Sequence, residues 1–212
     1  MIGLYAVVSR APPGALGARG EPLRELRRGE VGLLVGAAPP ALSVEALRAH
    51  EAAVRRIAEA AEACLPARFG ARAEDDEALL RLVEGRQAEL LEALQLVRGR
   101  EQMTLRVHGP SSPSPVPPPA GGPGARYLEE RRRARKLPEL DPLRGALEAL
   151  VRAERIERHS EPGLLASVYH LIDRGAAAEY QRIAGHAHLE GLRVRVSGPW
   201  PAWSFAPELG PP

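Results

Sequence analysis

A single cysteine, Cys64, excludes an internal disulfide and any zinc site built from several thiolates, so a reducing compartment is permitted. Charge of one sign is missing too. Lys plus Arg number 29 against 27 for Asp plus Glu, a formal charge of +2, which provides no field of the kind that draws nucleic acid or an anionic membrane. Lysine is nearly absent, Lys136 being the only one; arginine supplies the positive charge, a bias that carries no functional weight. No window approaches the run of about eighteen apolar residues that spans a bilayer. The opening MIGLYAVVSR lacks the basic region of a signal peptide, so a cytoplasmic location is expected. Aromatics make up only 4%, and both tryptophans and one of the two phenylalanines fall in SGPWPAWSF (197–205). The other phenylalanine lies in CLPARFGAR (64–72), so the scarce rings mark two places and leave the rest of the core to aliphatics.

What is present reads as α+β. The continuous apolar runs IGLYAVV (2–8) and VGLLVGA (31–37) are bounded by Pro and Gly and predict buried strands. From Ser43, an N-cap residue, Val44, Leu47, Val54, Ile57 and Ala61 recur at helical spacing with arginines and glutamates between them. A second helix is expected over 75–98, with Leu79, Leu82, Val83, Leu90, Leu94 and Val97 inward; Gly85 weakens it by about 1 kcal/mol relative to Ala. QMTLRVH (102–108) alternates, placing Met103, Leu105 and Val107 on one face of a strand and Gln102, Thr104, Arg106 and His108 on a wet one.

GPSSPSPVPPPAGGPG (109–124) can build neither helix nor ladder, and the domain boundary is expected there. The division is thus an N-terminal α+β domain at 1–108, the linker at 109–124, a C-terminal α+β domain at 125–205 and a short tail at 206–212. In the second half, helices are expected in ARYLEERRRARKL and, from Asp141 and Pro142, in PLRGALEALVRAER. Strands are expected at 163–172 and 192–198, with a helix near 175–189 between them. The halves echo one another loosely, without a residue-level repeat.

Five stretches have residue types that catalytic, phosphate-binding or metal chemistry uses. HEAAV (50–54) begins like a zinc-protease helix, yet Val54 stands where the second imidazole must be. HAH (186–188) has no third ligand in view, so no metal site is expected. GALGARG (14–20) lacks both the Gly-Lys-Ser/Thr ending and the dinucleotide spacing of a phosphate loop and reads as a surface turn. Cys64 reads as a small buried hydrophobe. RRRARK (131–136) has glutamates beside it and reads as a solvated helical face.

The aromatic cluster remains. Two prolines bracket Trp200 and fix the backbone, offering the rings at low entropic cost, and tryptophan is enriched at interface hot spots. Trp200, Trp203 and Phe205 are therefore candidate partner-binding residues, the alternative being that the segment plugs its own core.

At these residues the chain resembles the gas vesicle protein F/L family. The likeness runs through GLYAVV, HEAAV followed by LPARFG (65–70), EQMTLRV (101–107), ARYLEER (125–131) and VSGPWPAWSF. Order and spacing together make it specific. Ala67 stands where the family often has methionine, and Ala202 and Trp203 where proline and tyrosine are usual. The resemblance implies two small α+β domains with ferredoxin-like sheet-plus-helix elements, no enzymatic activity and no cofactor. It implies a role in gas vesicle assembly, in the cytoplasm and at the vesicle. The partners it implies are the hydrophobic shell protein and other accessory proteins, with no nucleic acid or membrane. It marks His50, Glu51, Pro66, Arg68, Phe69, Gly70, Arg126, Tyr127, Gly198 and Pro199 as structural motif residues, with Arg68 and Arg126 expected to tie strands and the C-terminal segment by hydrogen bonds and cation-π contact. The competing reading is a small-molecule or nucleotide-binding enzyme on the same scaffold, which requires a deep pocket lined by His50, Glu51 and Arg68.

Overall fold

A computed structural model of the chain describes residues 1–109, 140–159, 163–187 and 189–208. Nearly all of the Pro-rich linker, the helix expected at 125–137 with Arg126, Tyr127 and the basic cluster, and His188 of the HAH triplet lie outside the described residues. The chain divides into two compact units, one made of Met1–Glu101 with Trp200–Pro212 and the other of Gln102–Pro199. This differs from the expected division at the linker: the strand at 100–108 belongs with the second unit's sheet, and the chain from Trp200 onward belongs to the first unit.

In the first unit, strands β1 (Ile2–Val8), β2 (Arg24–Arg28), β3 (Val31–Ala37), β4 (Cys64–Pro66) and β5 (Arg72–Ala73) form one sheet. Its order is β2-β3-β1-β4, with β5 also paired to β1. The expected apolar runs are β1 and β3, buried at most positions because both lie inside the sheet. The charged edge strand β2, RELRR, has no apolar run to announce it and forms by pairing with β3 from Arg24↔Val35 to Arg28↔Val31.

Helix α1 (Val44–Ala60) starts where Ser43 Oγ accepts from the Ala46 N–H at 3.1 Å. Its buried stripe is His50, Ala53, Val54 and Ile57, packed with Tyr5, Ala6, Val8, Leu34 and Cys64. Val44 and Leu47, expected on that stripe, are exposed instead, because the helix's first turns run past the core. The helix expected at 75–98 is broken. Helix α2 (Asp76–Glu84) stops at Gly85, and α3 (Gln87–Val97) begins after Arg86, whose φ of −122° is not helical. The interruption lets Leu79 and Val83 of one, and Leu90, Ala93, Leu94 and Val97 of the other, all be buried.

The second unit carries β6 (Arg100–His108), α4 (Asp141–Leu147), β7 (Val151–Arg158), β8 (Leu164–Asp173), α5 (Ala177–His186) and β9 (Arg193–Trp200). The sheet order is β7-β8-β6-β9, the ferredoxin-like arrangement of a β-α-β-β-α-β chain. Met103, Leu105 and Val107 of β6 meet Leu143, Leu147, Val168 and Tyr180 in its core. The face of β6 expected to be wet is half covered: Gln102 and Thr104 are buried, and the Gln102 amide donates to Thr104 Oγ1 at 3.3 Å.

The helix expected from Asp141 through residue 155 ends at Leu147, and VRAERIER is a strand paired antiparallel to β8 from Val151↔Ile172 to Arg158↔Ala166. Ala, Glu and Arg favour helix locally, but a ladder with the buried strand β8 outweighs a few tenths of a kcal/mol per residue. Asp141 opens that helix rather than capping it, with Leu140 at the N-cap position.

Candidate functional site

The C-terminal aromatic segment leaves β9 at Trp200, just past a cis Gly198–Pro199 bond. It folds into a 3-10 turn, Trp203–Phe205, closed by the Phe205 N–H on the Ala202 carbonyl at 3.0 Å. Phe205 is 1% exposed and Ala202 is buried, so this candidate anchor is core of the first unit and unavailable to a partner. Trp203 is half-buried against the cluster that contains Tyr5, Val54 and Cys64. Trp200 is also half-buried, with the Arg55 guanidinium 4.7 Å above its ring. That cation-π role, expected of Arg68, falls to Arg55; Arg68 reaches the C-terminal segment by an exposed ion pair with Glu208 at 3.0 Å. Gly198 lends its carbonyl to the Gln181 amide at 3.2 Å.

The HEAAV and LPARFG motifs converge on His50. Its ring stacks on Tyr5 with centroids 5.1 Å apart and meets the edge of Phe69 at 5.7 Å. Its Nε2–H donates to the Ala67 carbonyl at 2.9 Å. Burial pushes its pKa below the ordinary histidine value, and that hydrogen bond offsets only part of the shift, so the ring is held neutral. Pro66 puts Ala67 in place by pairing with Ala6 across β4 and β1, and Gly70 supplies the turn at φ +91°, a backbone that side chains with a Cβ rarely adopt. On the other side of the box, the Tyr5 hydroxyl donates to Glu21 Oε1 at 2.9 Å and accepts from the Ala18 N–H at 3.0 Å. GALGARG is therefore no phosphate cradle: its backbone closes on Tyr5 and on Glu21.

Beside this box lies a cavity of about 70 Å³, lined by Tyr5, His50, Phe69, Pro39, Ala46 and Ala49 among others. Helix α1 contributes Ala46, Ala49 and His50 to it; outside the cavity, Leu42 before the helix and Val44 and Leu47 in its first turns are 75%, 57% and 42% exposed. Glu51 is not in it; it points to the surface and pairs with Arg55 at 3.5 Å. Arg68 lines a different groove. His50, Glu51 and Arg68 thus share no pocket, and among the described residues no cluster of three or more His, Cys, Asp or Glu could hold a metal ion. His186 spends its Nδ1–H on the Arg182 carbonyl.

Sequence reasoning passed over a second buried imidazole, in the second unit. His170 of β8 accepts from the Tyr180 hydroxyl at 2.6 Å and donates to Glu154 Oε2 at 2.9 Å, which also takes the Arg144 Nε–H at 3.1 Å. The hydrogen bond from His170, helped by Arg144 and opposed by burial, holds the Glu154 carboxyl below its usual range. Burial, then the Glu154 charge, drives the Tyr180 phenol up. A lone histidine inside the apolar run LLASVYHLI was the available signal. His170, Tyr180 and Glu154 are satisfied within the network, while Arg144 also pairs with Asp141 at 2.8 Å, so these bonds fasten β7, β8, α4 and α5 to one another.

Comparison with known proteins agrees with the motifs. The family model for gas vesicle synthesis protein GvpL/GvpF matches residues 2–115 and 124–207. Gas vesicle protein L of a Streptomyces species is 27% identical over 233 residues, covering 92% of this chain and 87% of that protein. In fold, the chain is similar to the crystal structure of gas vesicle protein GvpF from an Anabaena species, with a TM-score of 0.72 at 17% identity over 97% of this chain and 95% of that one. The GvpF structure from Microcystis aeruginosa gives 0.71 at 16% identity, over 97% and 98%. With both stretches of the family model matched on either side of the linker, the chain belongs to the gas vesicle synthesis protein GvpL/GvpF family.

Proposed function

We propose that this protein is a nonenzymatic accessory or minor structural protein of gas vesicle assembly, acting in the cytoplasm and at the vesicle, where it binds the hydrophobic shell protein and other gas vesicle proteins. The observation that carries the reading is the apolar surface at the start of α1. Leu42, Val44 and Leu47 stand in solvent, close in the chain to Ala46 and Ala49, which line the small and mainly apolar cavity. Exposed aliphatic groups grouped at one place mark a contact surface. A subunit that polymerises through apolar surfaces is kept from collapse when a partner covers such a surface until addition, by mass action on the free form. Trp200 and Trp203, each with part of its ring exposed, are the aromatic contacts proposed to serve the same partner; Phe205 supports them from the core.

Co-sedimentation of the purified chain with the shell protein tests this reading. The wild-type chain is expected to hold the shell protein in the supernatant at a fixed ratio. A Leu42→Asp/Leu47→Asp variant is expected to lose that retention while its melting temperature stays unchanged, because neither side chain is in the core. Failure of the wild-type chain to associate, alone or with other gas vesicle proteins present, refutes the proposal.

A further inference from the structure

Between the segment Pro66–Arg72 and the turn that follows β9 lies a groove of about 400 Å³, within the size range of ligand sites. Pro66, Ala67 and Trp203 give it apolar lining; Arg68, Arg72 and Glu208 give it charge. Two guanidinium groups against one carboxylate leave it positive. The chain's own tail already shows what chemistry the place accepts. Ala206 is extended at φ −75° and ψ 132°, the Glu208 carboxylate sits 3.0 Å from Arg68, and the Glu208 backbone carbonyl accepts from Arg86. Two residues past that extended position, Glu208 is thereby held at both its side chain and its backbone. The hold is weak, since Arg68 and Glu208 are 77% and 75% exposed and water screens the pair. Arg72 is exposed and has no carboxylate partner among the described residues.

We propose that this groove is a docking site for an extended, carboxylate-bearing segment of a partner protein. The acidic side chain of that segment takes Arg72 and competes with Glu208 for Arg68, while an apolar or proline residue beside it lies against Trp203. Guanidinium pairs with carboxylate in planar geometry, so a glutamate or aspartate is selected over a neutral isostere. Glu208 then acts as an internal competitor, which sets how readily the site is entered.

The test uses the full chain and a labelled peptide, acetyl-Phe-Ala-Pro-Glu-Leu-amide, which copies residues 205–209, followed by fluorescence anisotropy at low salt. Saturable binding is expected, tightened about threefold by Glu208→Gln and weakened about tenfold by Arg72→Ala or by a peptide with Gln in place of Glu. Both substituted side chains are exposed, so melting temperatures should not move. Three results would overturn the proposal: no saturation at millimolar peptide, equal affinity for the Gln peptide, or full competition by equimolar inorganic phosphate, which would make this a plain anion site. A dimer of the chain alone, abolished by Arg72→Ala in sedimentation, would also overturn it by making a second copy the occupant.

Discussion

The two units lay their first four strands in the same order: the second strand at one edge, then the third, the first and the fourth. They differ in what joins the first strand to the second. In the second unit the helix α4 stands in that connection and contributes Leu143 and Leu147 to the core. In the first unit the connection at 9–23 contains no helix, only an isolated bridge between Leu16 and Pro22, and it is fastened through the Tyr5 hydroxyl. Both units also bury a histidine against a tyrosine, with opposite chemistry. His170 is hydrogen-bonded to an ionised glutamate, whereas His50 is stacked on its tyrosine and bonded only to a backbone carbonyl. A shared frame therefore leaves the second unit with a charged hydrogen-bonded network around His170. The first unit keeps the neutral aromatic box, the small cavity and the exposed aliphatic side chains from which binding is proposed.

The first unit's dependence on a distant piece of chain gives the largest expected effect. Phe205 is separated from the rest of that unit by the whole of the second, yet it is fully buried there. Phe205→Ala should destabilise the protein by about 3–5 kcal/mol, read from chemical denaturation. A loss below about 1 kcal/mol would mean that the turn only rests on the unit. In the second unit, Tyr180→Phe keeps the ring and removes the hydroxyl that satisfies His170 Nδ1. Leaving that buried nitrogen unpaired should cost about 1–3 kcal/mol. Hydrogen exchange should locate the loss in β7, β8 and α5, while the amides of β1 and β3 keep their protection. Equal loss in both sheets would erase the distinction between a network local to the second unit and the rest of the fold.

Much of the fold was legible because it rests on local pattern. The runs of β1 and β3, the Ser43 cap and the buried face of Met103, Leu105 and Val107 are found where expected, since each is decided by burial that the residue order itself encodes, whereas the cover over Gln102 and Thr104 is not. What was not legible depended on partners far along the chain. RELRR and VRAERIER become strands because β3 and β8 offer ladders, and no local signal foretells them. The candidate site was readable to the same degree. His50, Phe69 and Gly70 line one cavity, whereas Phe205 does not face outward, because the return of the C-terminal segment to the first unit is a matter of topology. The exposure of Val44 and Leu47 was hidden for a related reason: helical spacing reports which residues share a face, and it does not report where along the helix the core stops.

The difference between the two histidines is sharpened by acid. The folded-state pKa of His50 lies below its ordinary 6.5, so the unfolded chain takes up this proton first as the pH falls. Well above pH 6.5 both states are neutral at this residue and nothing is lost. Below it, stability falls until the lower folded pKa is passed, at no more than about 1.4 kcal/mol per pH unit for one proton. Glu154 also has a depressed folded pKa, but its ordinary value is 4.5, so its contribution is intact through this window and is lost only in stronger acid. Equilibrium denaturation between pH 7 and pH 5 should therefore show a slope that His50→Gln flattens, since the amide can still donate to the Ala67 carbonyl and has no proton to gain. The same slope should persist in Tyr180→Phe. If His50→Gln leaves the slope untouched, the proton is being taken up elsewhere, and the aromatic box is not the place where the first unit resists charge.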